Sequence, residues 1–179
     1  CMASFSDAHE CDEIPIIAAN MHRMILPRQS QIWAVVKAGQ PLQKLYYQIC
    51  SGLLGRLCFS GEPDALSAAQ WTVMDAGTAF YAKAAPIIDH GVSRRFGSHI
   101  VSYRAPKGWH AVVRRGETQT LVVVHTFDAA PDTVTLPVGG KIAAQFMRDG
   151  LAVTHLDGQL TVHGLADFDA AAFILENEV

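Results

Sequence analysis

The chain has 179 residues, of which 50% are hydrophobic and 17% charged, with a formal net charge of −3. This composition predicts a packed core and excludes a globally disordered chain. The chain has neither a run of like charges that would bind nucleic acid nor an apolar stretch of the ~20 residues that span a membrane.

The four cysteines, Cys1, Cys11, Cys50 and Cys58, form no C-x-x-C pair. Free thiols in a reducing compartment explain such spacing, with disulfides or a metal site as alternatives. The first residues also lack the basic and apolar segments of a signal peptide. We therefore expect a cytoplasmic protein. Because Met2 falls inside an expected strand, we interpret the chain as the C-terminal piece of a longer protein.

A first helix is predicted after a short strand at residues 2–5. Pro15 suits its first turn, and the D-x-x-E spacing of Asp7 and Glu10 predicts a capping box at its start. Apolar residues at steps of three, four and three define one face of this helix. They are Ile14, Ile17, Met21 and Met24.

Strands and helices continue to alternate up to about residue 90. The continuously apolar residues 32–36 predict a strand buried on both faces, and residues 42–53 predict a helix. A brief strand at residues 57–59 precedes a long helix that Ser67 and Gln70 cap and that Pro86 could kink.

This order predicts parallel strands with helices outside them. Residues 1–92 are too few for a complete TIM-type barrel, which takes ~250 residues, but they could form its last βα units. A small self-contained α/β sheet is the alternative.

The hydrophobic period becomes two after residue 92. Alternating segments at residues 133–136 and 160–163, a central strand at 120–127 and frequent glycine turns predict six to eight antiparallel strands in residues 98–177. We therefore expect a fold that combines α/β units with an all-β part. The expected domains are residues 1–92, the C-terminal part of a barrel, and residues 93–179, a β-sandwich.

Asp7 is the candidate catalytic residue because it follows a strand, and the carboxyl ends of parallel strands form the active face of such folds. Its alternative role is to cap the next helix. Arg28, Gln29 and Gln31 lie in a polar segment whose side chains can hydrogen-bond sugar hydroxyls, or form an ordinary surface loop. Ser60 to Glu62 would face the same rim or form a simple turn.

The remaining polar residues indicate no metal site or cofactor. The segment His9-Glu10-Cys11-Asp12-Glu13 is rich in ligand types but does not match H-E-x-x-H. His125 and His163 fall in strands and are expected to have structural roles.

Four segments resemble the end of the catalytic barrel of α-galactosidase-type glycoside hydrolases, family thirty-six of clan D. They are residues 4–10 (SFSDAHE), 13–23 (EIPIIAANMHR), 25–35 (ILPRQSQIWAV) and 52–62 (GLLGRLCFSGE). The segment from Phe80 to Gly97 and the β-rich tail resemble the route into the C-terminal sandwich of these enzymes.

The resemblance implies a retaining hydrolase of terminal α-galactosides in which Asp7 is the acid/base. Retention needs two carboxyl groups, and the nucleophile of the family lies on an earlier strand, before Cys1. It implies that Arg28, Gln29 and Gln31 contact substrate or order the rim. We therefore expect this chain to bind an oligosaccharide or galactoside only together with the missing N-terminal part of its parent, and to be inactive alone. Open strand edges also favour homo-oligomers.

Two other interpretations remain open. The β-sandwich could be a non-catalytic module that binds carbohydrate or a partner, with the α/β part as its support. Alternatively, the chain could be an unrelated protein in which Asp7 only caps a helix. An exposed aromatic strip on the sandwich would favour the module.

Overall fold

A computed structural model describes Ala3, Ser4 and residues 11–178. Its first half alternates parallel strands with helices: β1 (Ala3–Ser4), α1 (Ile14–Met21), β2 (Ser30–Val36), α2 (Leu42–Gly52), β3 (Arg56–Gly61) and α3 (Ala68–His90). The strands form a three-stranded sheet in the order β1-β2-β3, and both pairings are parallel. The predicted parallel arrangement of these strands is therefore present.

The central strand β2 is buried on one face only. Ile32 and Val36 pack into the core with α1 and α2, whereas Gln31, Trp33 and Val35 on the other face are half-buried. The prediction that residues 32–36 are buried on both faces is therefore wrong. The helices cover only one side of the parallel sheet, so the second side stays partly open.

Helix α1 ends earlier than predicted. It starts at Ile14 after Glu13, whose side chain makes no capping hydrogen bond, with Pro15 in the first turn as expected. The predicted capping box of Asp7 and Glu10 lies outside the described part of the chain. The helix stops at Met21, so Met24 does not share its buried face and is 81% exposed.

Helix α3 follows its predicted limits closely. The Ser67 hydroxyl accepts a hydrogen bond from the Gln70 N–H, and the Gln70 side chain accepts one from the Ser67 N–H, which completes the expected capping box. Pro86 lies inside the helix without ending it. An internal proline removes one helical hydrogen bond and its ring clashes with the preceding turn. The core packing of Ala84, Ile87 and Ile88 on either side of Pro86 offsets this cost, so the helix continues.

The second half of the chain is antiparallel β structure. A five-stranded sheet has the order β4-β5-β6-β11-β8, and a three-stranded sheet has the order β7-β10-β9. The strands are β4 (Val92–Gly97), β5 (Trp109–Arg115), β6 (Gln119–Thr126), β7 (Thr133–Leu136), β8 (Lys141–Met147), β9 (Ala152–Leu156), β10 (Gln159–His163) and β11 (Ala170–Glu176). This matches the predicted antiparallel strands, including the tight turn at Asp157 and Gly158, both with positive φ.

Two hydrophobic cores lie on opposite faces of the five-stranded sheet. One joins α1, α2 and α3 to residues such as Val112, Val123 and Phe146, and the other fills the space between the two antiparallel sheets. Helix α3 ends at His90 and β4 begins at Val92, where the sequence predicts a boundary. Since the first core contains residues from both sides of residue 92, the two halves pack against each other extensively.

The cysteines of the described residues, Cys11, Cys50 and Cys58, are free thiols, whereas Cys1 lies outside those residues. None of the described helices combines the length and apolar character that a membrane span requires.

Candidate functional site

The carboxyl ends of β2 and β3, where Val36 pairs with Gly61, define the candidate active edge of the parallel sheet. Asp7 follows β1 by three positions in the sequence but lies outside the described residues, so its surroundings are not part of the structure. The loop after β2 and the turn after β3 meet there.

Glu62 holds the loops of this edge together through two hydrogen bonds. Its backbone N–H donates to the Val36 carbonyl at 2.8 Å, and its carboxylate accepts from the Ala38 N–H at 3.3 Å. The Gln70 side-chain amide donates to the carbonyl of Lys37 at 3.1 Å. These bonds tie the loop after β2 to both β3 and the start of α3, so Glu62 has a structural role at the edge.

The open face of the sheet carries Gln31. The register of β2 and β3 pairs Trp33 with Cys58 and Val35 with Ser60, so these side chains share the face that the helices do not cover. Gln31 Nε2 donates to Cys58 Sγ at 3.2 Å. This face therefore combines an amide, a thiol, a hydroxyl and an indole, which is a surface that could line a polar cavity.

Arg28 and Gln29 lie at the opposite edge. They belong to a short 3-10 turn, Pro27–Gln29, that immediately precedes β2. Arg28 Nη1 donates to the Asp89 carbonyl at 3.1 Å, and its Nε lies 4.0 Å from the Asp89 carboxylate. A cation at the last turn of α3 interacts favourably with the helix dipole.

The structure therefore does not bring Arg28 and Gln29 to the carboxyl edge. Residues that precede a parallel strand fall at its amino end, a rule that the sequence analysis could have applied. Arg28 instead borders a cleft of about 500 Å³ that Arg56, Tyr81 and His90 also line. The part that these residues play in substrate binding stays a prediction.

The sequence did not predict that Ser51, His110 and His125 form a cluster of buried polar residues. His125 Nε2 lies 3.2 Å from the Ser51 hydroxyl and 3.3 Å from the Tyr47 carbonyl, and the His110 ring contacts His125 edge to face. Although a serine beside a histidine resembles a nucleophile and its base, both residues are fully buried and no substrate could reach them. The expected structural role of His125 fits this position.

Three imidazoles are buried wholly or in part, those of His22, His110 and His125. Their burial predicts that the folded protein becomes less stable at low pH. Burial lowers the pKa of His125 from 6.5 to about 3, burial and Arg114 lower that of His22 to about 3, and burial moves that of His110 in the same direction. As the pH falls below 6.5, the unfolded chain binds protons that the folded chain cannot. The free energy of unfolding should therefore decrease between pH 6.5 and about 3, by up to ~1.4 kcal/mol per pH unit for each histidine.

Urea unfolding of the wild type and a His110→Phe variant between pH 7 and pH 4 would measure this effect. Both nitrogens of His110 lack a partner among the described residues, so phenylalanine removes the titrating group without breaking a bond. We expect a shallower decline of the free energy of unfolding for this variant than for the wild type. Equal slopes in the two proteins would contradict the assignment.

Within residues 11–178, no group of three or more His, Cys, Asp or Glu residues is arranged to hold a metal ion. Asp12 from the ligand-rich segment forms an ion pair with Lys44, and Tyr47 donates to its carbonyl at 2.9 Å. Asp12 therefore connects helix α2 to the segment that precedes α1.

Comparisons with known proteins find similarity in structure but not in sequence. No protein-family model matches the chain, and no curated protein matches it. Solved structures do: an α-galactosidase from Lactobacillus brevis superimposes with a TM-score of 0.69 at 10% identity, over 97% of this chain and 26% of its own length.

Other matching structures carry the same activity in their names. A family 36 α-galactosidase from Geobacillus stearothermophilus in complex with raffinose has a TM-score of 0.67 at 12% identity, covering 96% of this chain and 25% of its own. The galactosidase domain of an α-galactosidase–sucrose kinase has a TM-score of 0.65 at 13% identity, with the same coverage. The chain thus spans about a quarter of the structures that it matches, and its resemblance to a C-terminal part of family 36 enzymes is confirmed at the level of the fold.

Proposed function

We propose that this chain is the C-terminal part of a retaining glycoside hydrolase that acts on terminal α-galactosides. The observation that carries the proposal is the fold likeness, which extends over 96–97% of the chain in structures named as α-galactosidases. It includes both the helical half and the antiparallel half, so a likeness of the sandwich alone does not account for it.

The partly open sheet supports a place in a larger barrel. β1 and β3 are the edge strands of the described parallel sheet, and the face with Gln31 and Cys58 is not covered by helices. In a (β/α) barrel, further parallel strands pair with both edges, and this face becomes the barrel interior. In the absence of those strands, open edges favour association with another chain, such as a second copy.

Asp7 would supply the acid/base of the proposed reaction. It would donate a proton to the glycosidic oxygen while a carboxylate from the preceding segment attacks the anomeric carbon. In the second step it would accept a proton from the water that releases the sugar from that carboxylate. Retention requires the two carboxyl groups to lie ~5–5.5 Å apart.

The proposed binding residues lie at two different places on the parallel sheet. Gln31 lies on the open face and would contribute to the interior wall of the barrel, where its amide could bind a hydroxyl or support the thiol of Cys58. Arg28 and Gln29 would instead order the turn before β2, since Arg28 is engaged with the end of α3. Neither role requires a cofactor or a metal.

The alternative of a carbohydrate-binding module has less support. Tyr103 is exposed, but the Trp109 ring packs against the second core together with Phe96. The described surface of the sandwich therefore presents no strip of exposed rings on which sugars could stack.

Hydrolysis of an aryl α-galactoside tests the proposal. We expect no turnover by the 179-residue chain alone, because the nucleophile is on the preceding segment, and measurable turnover by the longer chain that contains both parts. Turnover by the short chain, or its absence from the folded longer chain, would contradict the proposal.

A further inference from the structure

A small basic cleft lies between the end of α1 and the first two strands of the five-stranded sheet. It has a volume of about 190 Å³, and its lining includes His22 and Arg23 after α1, Ser93, Arg94 and Arg95 on β4, and Val112 on β5. This cleft is separate from the parallel sheet edge and from the cleft at Arg28. A ligand bound in this cleft would therefore be independent of the proposed hydrolase function.

A buried arginine lies behind this cleft. The register of β4 and β5 pairs Ser93 with Arg114 and Arg95 with Val112, so these four side chains share the face directed toward α1. Arg114 is 1% exposed; its Nη2 donates to the Leu54 carbonyl at 2.7 Å and its Nε to the Ser93 hydroxyl at 2.9 Å. Its Nη1 has no hydrogen-bond partner in the described part of the chain.

His22 adds a second buried nitrogen without a partner. Its Nδ1 lies 3.3 Å from Arg114 Nη2. Burial and Arg114 lower the pKa of this imidazole to about 3, against a hydrogen bond to the Leu54 backbone that raises it, so the ring is neutral at pH 7. Its Nε2 has no hydrogen-bond partner among the described residues.

The positive charges here have no counter-charge among the described residues. None of the ion pairs in residues 11–178 involves Arg23, Arg95 or Arg114, although the whole chain carries a net charge of −3. Arg95 bonds only to neutral oxygens, those of Asn20 and Ser98. A buried cation without a partner is unfavourable, and an anion in the cleft would relieve this cost.

We propose that this cleft binds a small oxyanion of the phosphate class. Guanidinium groups match the oxygens of phosphate. Three arginines, Arg23, Arg94 and Arg95, are among the lining residues, and Arg114 lies buried behind them. The volume suits a small oxyanion, since pockets for drug-sized ligands measure ~300–1,000 Å³. A neutral sugar would leave the cationic groups uncompensated.

Titration of the 179-residue chain with inorganic phosphate, followed by calorimetry at constant ionic strength, tests this proposal. We expect one site per chain and at least ~10-fold weaker binding after Arg23→Gln, because a charge-assisted contact is lost. Arg23 is exposed, so this variant should fold normally.

Arg104→Gln is the matched control. It removes the same charge from an exposed arginine whose guanidinium lies over the Tyr103 ring at 5.7 Å, and Arg104 is not among the residues that line the cleft. Unchanged phosphate binding by this variant supports the proposal. Equal weakening by both variants, no binding by the wild type at millimolar phosphate, or acetate binding as tight as phosphate binding would each overturn it.

Discussion

Replacing Asp7 with asparagine in the proposed longer hydrolase should reduce kcat by ~10²–10⁴-fold, the usual contribution of general acid–base catalysis. Asparagine keeps the size of the side chain but can neither donate the proton to the glycosidic oxygen nor accept one from water. The loss should be larger for a natural α-galactoside than for a nitrophenyl substrate, because a nitrophenolate leaves without protonation. Steady-state kinetics on the two substrates measures this difference.

Asp75→Asn is the control for that experiment. Asp75 is an exposed carboxylate on α3, remote from Asp7 in the sequence, and its neutralisation should leave kcat unchanged. If Asp7 only precedes a helix, its asparagine variant would behave like the Asp75 variant on both substrates. That result would remove the proposed acid/base role of Asp7.

Replacing Arg148 with methionine should lower the free energy of unfolding by about 3 kcal/mol, at the lower end of the range for breaking a buried ion pair. Arg148 donates twice to Asp169, with its Nη2 at 2.6 Å, and the Asp169 side chain is fully buried. Without Arg148, the carboxylate keeps only the N–H groups of Ala166 and Ala170 as donors. Urea unfolding at pH 7 measures the loss.

The exposed pair of Lys107 and Asp128 provides the comparison for this prediction. Its atoms are 3.4 Å apart, but the side chains are 71% and 53% exposed, so Lys107→Met should cost less than ~1 kcal/mol. Equal losses for the two variants would show that the Arg148 pair gains nothing from burial. The expected difference follows from position: Arg148 and Asp169 join the ends of the paired strands β8 and β11.

The two halves of the molecule pack against opposite faces of the five-stranded sheet, and these faces differ in polarity. One face of this sheet packs against apolar strands, whereas the other packs against helices and holds His110, Arg114 and His125. These polar groups lie where helices and strands of different geometry meet. The lowered pKa values of His110 and His125 predict that this layer is sensitive to acid. Arg114 leaves a positive charge behind the basic cleft, without a counter-charge among the described residues.

Much of the local structure follows from the sequence alone. The Ser67–Gln70 box, the alternation in β7 and β10 and the turn at Asp157 each depend on a few neighbouring residues, so their patterns predict them directly. The parallel arrangement of β2 and β3 was also predictable, because a helix between two strands returns the chain to the same end of the sheet.

Only the tertiary structure decided which groups meet across the fold. It ended α1 before Met24, left one face of β2 partly open, and placed Arg28 against α3 at the amino edge. It also buried Arg114 beside His22, which is 92 positions away in the chain. Such contacts depend on surfaces supplied by distant segments, whereas sequence periodicity reports only which face of an element is apolar.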